Sequence, residues 1–224
     1  MSTDTRAPLL GEPLPVELMN TVWADRDGGH DALADPAEAV AWLRAVAPRI
    51  EITPGDISPP AGGAEAGTLI SDLRNLRDAL RHLAAEVTDD PRPAGRSGPG
   101  PGTSRHGARR HEARAAAVST VNRAAAAAPA WTELSWPDDG PATRQVRRRG
   151  PAGRALLAAI ASEAAELFAG PGQPQLRACL GPGCVLYFVQ QHPRREWCSA
   201  GCGNRARVAR HYRRHHGRRT DHPA

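Results

Sequence analysis

The stretch Cys179-Leu-Gly-Pro-Gly-Cys184, followed by Trp197-Cys198-Ser-Ala-Gly-Cys202-Gly-Asn-Arg205, decides how the rest of the chain is read. These are its only four cysteines. The first pair closes over a Gly/Pro turn and the second lies at the start of a helix. Two close pairs separated by a short apolar run are what a tetrahedral four-cysteine zinc site requires. Four cysteine ligands fill the coordination sphere and leave no position for a water, so the spacing predicts one structural Zn²⁺ rather than a catalytic one.

Working outward, the composition favours helices. Hydrophobic residues make up 40% of the 224 but aromatics only 4%, so Ala and Leu must do most of the packing. The 22 Gly and 21 Pro predict at least one unstructured stretch. All 29 basic residues are Arg, each a planar fork suited to phosphate or guanine. Residues 190–224 hold nine Arg against Glu196 and Asp221, a net +7, which leaves residues 1–189 at −2. A mildly acidic body with a basic end points to a polyanion partner. No run approaches the roughly 20 apolar residues of a membrane span, and Met1–Pro15 lacks an apolar signal core. A cytoplasmic protein with reduced thiols and no membrane partner is expected.

Residues 1–13 read as a loose, Pro-rich end. Asp35-Pro36 caps a helix carrying Val40, Leu43 and Val46, which Pro48 should end. Leu69, Ile70, Leu73, Leu76, Leu80, Leu83 and Val87 form a helical stripe over 67–87. Residues 89–104 are Gly/Pro-rich and read as a flexible insertion between two packed helices, the second spanning 105–128. Trp131–Trp136 and Thr143–Arg149 predict one β-hairpin, and 153–169 a further helix. The expected architecture is mainly α with small β elements. A helical domain spans 14–172, a treble-clef-like Cys₄ finger 173–217 and a basic tail 218–224. In the finger, 185–189 is expected to pair with a returning strand at 196–198.

Cys202-Gly-Asn-Arg205, preceded by Trp197-Cys198, resembles the CGNR zinc finger of bacterial regulators. The upstream part is similar to its usual partner, the ABATE domain, associated with stress-induced transcription regulation. That similarity rests on Glu17-Leu-Met-Asn-Thr-Val22, Ala41-Trp-Leu43, Leu73-Arg-Asn-Leu-Arg-Asp-Ala-Leu-Arg81, Val121-Asn122 and the 131–149 hairpin. Here Gln190-Gln191-His192 replaces a more usual Asp-containing turn, and the Gly/Pro-rich insertion is long. The resemblance implies a zinc-dependent, DNA-binding transcription regulator. With no Gly-rich phosphate loop, Gly-x-Ser-x-Gly elbow or His-Glu-x-x-His pair in the sequence, no enzymatic activity is expected.

Around the expected metal, Arg205 is placed to add a cation and Asn204 to tie the helix start to the knuckle or hairpin backbone. His192, His211, His215, His216 and His222 are not needed as ligands. Arg207, Arg210 and Arg214 recur along one side of the following helix, with Arg218 beyond, and are the candidate nucleic-acid contacts. Val208, Ala209 and Tyr212 should pack on the hairpin. In the body, Asn20, Thr21, Arg77 and Asn122 are polar positions in apolar segments. They read either as a buried hydrogen-bond network or as a ligand pocket walled by Trp23, Trp42, Trp131 and Trp136. Two other functional classes stay open, a zinc clip for protein–protein interaction and an RNA binder. An arginine stripe packed on residues 1–178 would favour the clip and a solvent-facing one DNA. A small-molecule effector or homodimer formation would then modulate binding.

Overall fold

The computed structural model describes residues 5–57, 64–92 and 104–216. Most of the chain is helical because Ala- and Leu-rich stripes recur at helical spacing. The helices are α1 (Leu14–Met19), α2 (Pro36–Val46), α3 (Ala64–Val87), α4 (Ser104–Ala125), α5 (Ala152–Ala169) and α6 (Ala200–His216). The strands form three antiparallel pairs: β1 (Val22–Ala24) with β2 (Gly29–Asp31), β3 (Ala130–Ser135) with β4 (Thr143–Arg148), and β5 (Leu176–Ala178) with β6 (Tyr187–Val189). The Asp35 side chain caps α2, accepting from the Ala37 and Glu38 amides at 2.8 and 3.0 Å, with Pro36 at the first helical position. Pro48 ends the α-helix through one tighter turn, Ala47–Ile50.

The core lies where α1, α2, α3 and α5 converge. Trp42, Leu43, Leu73, Leu76, Leu80, Leu156 and Ile160 are fully buried there. The α3 stripe faces inward as expected, with Leu69 and Leu83 at its margin and only Val87 exposed. α4 covers α3 with small residues, Ala117, Val121 and Ala124, and the Arg114–Glu86 ion pair joins the two helices. Leu176, Tyr187 and Val189 belong to this same core, so β5 and β6 are built into the body rather than appended to it.

The structure departs from the expected arrangement at several places. Residues 5–13 are not loose: Ala7 and Glu12 are buried, and Glu17 accepts the amides of Leu10 and Glu12. A second hairpin, β1–β2, follows α1, with Trp23 stacked on His30 across it. Of the expected flexible insertion, 89–92 is packed, with Asp90 buried, while 93–103 lie outside the described residues. The partner of β6 is β5, not 196–198, because the metal knuckle itself is the hairpin turn: the Cys179 amide donates to the Leu186 carbonyl at 2.9 Å, continuing the ladder. The β3–β4 hairpin forms as expected but stands in solvent, with Leu134 70% and Trp136 74% exposed.

Candidate metal centre

The knuckle is shaped by its glycines. Gly183 sits at φ +72°, where a side chain would be strained, and the Cys184 amide closes the turn on the Gly181 carbonyl at 2.9 Å. A Cβ on Gly181 would lie 3.0 Å from the Cβ of Cys202, so only glycine lets knuckle and helix approach this closely. Ser199 accepts the Cys202 amide at 3.4 Å, capping α6. Gly203 sits against the Trp197 ring.

These elements bring Cys179, Cys184, Cys198 and Cys202 together, all buried, with their sulfur atoms within 4.8 Å of one another. The Cys184–Cys198 and Cys198–Cys202 separations are 3.8 and 3.5 Å. A tetrahedral ion with metal–sulfur bonds of about 2.3 Å needs sulfurs ~3.8 Å apart, so the donor set fits. The proton chemistry points the same way. Held by neighbouring thiols, first Cys184 and then Cys198, Cys179 has its pKa pushed far down, to about 2. Its partners hold their protons: hydrogen bonding to Cys179 pushes Cys184 up to about 12 and Cys198 higher still. These three sulfurs cannot all ionise without a cation among them.

Arg205, one turn into α6, donates to the Cys202 sulfur at 2.9 Å, and the Cys198 amide donates to Cys179 at 3.5 Å. Asn204 is exposed and makes no hydrogen bond to knuckle or hairpin among the described residues. His192 is exposed and accepts the Arg194 amide rather than approaching the cysteines.

The four body residues considered for a pocket do not share a site. Asn20 exchanges two hydrogen bonds with the Tyr187 backbone, each 2.9 Å. Thr21 donates to the Leu18 carbonyl at 2.8 Å, and Arg77 pairs with Asp31 and Asp78. Asn122 is exposed on α4. Among the tryptophans, Trp42 is core while Trp131 and Trp136 face solvent. The buried members are therefore parts of an internal network, and Asn20 ties α1 to the metal hairpin.

Several contacts at the centre carry little signal in the sequence. Glu12 accepts the Val189 amide at 2.9 Å and pairs with Arg195, which also donates to the Cys198 carbonyl at 2.9 Å. Arg92 donates to the carbonyls of Cys179, Cys184 and Leu186 at 3.2, 3.3 and 3.0 Å. Asp90 holds Arg92 and accepts the Tyr187 hydroxyl at 2.7 Å. Burial and the Asp90 hydrogen bond push the Tyr187 hydroxyl up to about 12, so it stays a donor. Arg92 and Arg81 sit 4.7 and 5.3 Å from the Tyr187 ring centre.

On α6, Cys202 and Ala206 are buried and Ala209 is half-buried. Arg207, Arg210 and Arg214 lie on one flank and are exposed; Arg218 is outside the described residues. Val208 and Tyr212, expected to pack on the hairpin, are 51% and 62% exposed. At about 100° per residue they fall on the opposite flank from the arginines, turned away from the anchored Cys202–Ala206 face. A cleft of about 470 Å³ runs between α6 and the preceding loop, lined by Arg194, Arg195, Glu196, Trp197, Arg207 and Arg210.

A helical body is interlocked with a four-cysteine knuckle, hairpin and helix that could hold a metal ion. Family models agree: residues 12–171 match ABATE, described as "Putative stress-induced transcription regulator", and residues 175–215 match the CGNR zinc finger. The chain belongs to the ABATE family and carries a C-terminal CGNR zinc finger. No curated protein matches it significantly. No helix among the described residues is long and apolar enough to cross a membrane.

Proposed function

We propose that the protein is a DNA-binding transcription regulator whose Cys₄ centre holds one structural Zn²⁺ and whose α6 docks on DNA. The ion's role is to supply the cross-link that a small finger cannot obtain from its own core, fixing the knuckle against α6. What carries the reading is the placement of Arg207, Arg210 and Arg214: all three are exposed on one flank of a helix whose other face is anchored to the metal ligands. With Arg194 and Trp197 in the adjoining cleft, they offer a concave basic edge to a phosphate backbone. Solvent exposure of the stripe weighs against the clip reading, which needed it packed on the body. The body acts as scaffold or sensor, and the protein acts in the cytoplasm.

The test is a fluorescence-anisotropy titration of a mixed-sequence DNA duplex at several salt concentrations. The parent should bind, and the Arg207→Ala/Arg210→Ala pair should flatten log K against log salt by about one to two units. A chelator should abolish binding. No salt-dependent binding by the zinc-loaded parent, or unchanged binding by the double variant, sinks the proposal. Tighter binding to an RNA of equal length would favour RNA instead.

A further inference from the structure

We propose that the helical body supplies part of the metal centre's electrostatic shell, with Arg81 of α3 as counter-charge and Arg92 as the mould that holds the knuckle. This rests on the reading of the four cysteines as a Zn²⁺ site. Four thiolates around a divalent ion leave a charge of about −2. Arg205 answers one unit directly at Cys202.

Arg81 is the body's candidate for the second. Its guanidinium donates to the Met19 carbonyl at 2.8 Å and to the Val185 carbonyl, next to Cys184, at 3.2 Å. No carboxylate pairs with it among the described residues. Burial, together with Arg92 and Arg77 nearby, pulls its pKa down, against the raising effect of Tyr187 and Asp78. Through the Val185 carbonyl, next to Cys184, this cation is placed beside the knuckle, where the thiolate cluster would add to the charge that Asp78 supplies.

Arg92 has a different part. Its charge is already met by Asp90, so it contributes shape. One guanidinium nitrogen holds the carbonyls of both knuckle ligands and of Leu186, fixing the approach of Cys179 and Cys184. Both arginines come from the α3 end of the body, so any movement of α3 alters how firmly the metal is held.

The experiment is zinc release from the full chain to an excess of a chromophoric chelator, after metal content has been measured. Arg81→Gln and Arg92→Gln should each release zinc about 10- to 100-fold faster, the usual effect of losing an outer-shell partner. Arg81→Lys, which keeps the charge, should stay within about threefold of the parent, and it keeps the test decisive if the Gln variant does not fold. The control is Arg74→Gln, on the same helix. Arg74 holds the Leu33 and Ala34 carbonyls away from the centre, so its loss should lower stability without speeding release. Parent-like release from both Gln variants, equal acceleration by Arg74→Gln, or an Arg81→Lys variant as leaky as Arg81→Gln overturns the proposal. A parent that binds no zinc overturns the metal reading itself, a separate outcome.

Discussion

Asn20 grips the backbone of Tyr187 from both sides: its side-chain amide donates to the Tyr187 carbonyl and its side-chain oxygen accepts the Tyr187 amide, each at 2.9 Å. An amide side chain thus takes the place of a neighbouring strand along β6. It joins the C-terminal end of α1 to the hairpin that presents the metal ligands, across 167 residues of sequence. Asn20→Ala would leave both Tyr187 groups buried and unpaired, at a cost of about 2–4 kcal/mol. Thermal and urea unfolding followed by circular dichroism should show that loss. Because β6 shares the body's core, it should appear as one transition, not as a separate early melting of the finger. A loss below about 0.5 kcal/mol, or two transitions, would count against this interlock.

The glycines around the centre make a second set of expectations. In a helix interior, Gly→Ala normally gains about 1 kcal/mol. Gly201, whose added Cβ would meet nothing nearer than the Ser199 hydroxyl at 3.7 Å, should show a neutral or favourable change. Gly203→Ala should not, since its Cβ would come within 3.0 Å of Trp197. Gly181→Ala should be worst for metal binding, because its Cβ would press at 3.0 Å on Cys202, a ligand that cannot yield without moving its sulfur. Melting temperature and zinc content of the three variants check the order. A Gly181→Ala protein with parental zinc retention would refute it.

These contacts also explain what could be read from the chain alone. The cysteine spacing and the α3 stripe were legible because each is a local pattern whose meaning survives burial. Arg81 and Arg92 were not, since a charged residue on a helix or in a Pro-rich loop looks solvated until tertiary packing places carbonyls around it. Asn20 stood out as polar within an apolar run, but whether such a residue lines a pocket or satisfies a distant backbone depends on β6, far away in sequence. The pairing of β5 with β6 is not legible because Leu176–Ala178 is only three residues long, too short for its alternation to announce a strand. The hairpin is fixed by the knuckle hydrogen bonds instead.

Glu17 allows a pH prediction with a definite sign. Its carboxylate is 1% exposed, accepts the amides of Leu10 and Glu12, and lies 3.7 Å from Arg49. Burial raises its pKa above the ordinary 4.5 despite those hydrogen bonds and Arg49, with the neighbouring Glu12 charge adding to the rise. The folded protein therefore takes up this proton more readily than the unfolded chain. The stability so gained is full below the ordinary value and is lost as pH rises through the raised one. Glu17→Gln removes the titration while keeping an acceptor for the two amides. The stability of the parent minus that of Glu17→Gln should therefore fall as pH rises from about 4 towards neutrality. Taking the difference cancels the pH dependence of thiolate–metal binding common to both proteins. Chemical denaturation across that range measures it, and a difference that is flat or grows with pH would mean that Arg49 and the amides, not burial, control this carboxylate.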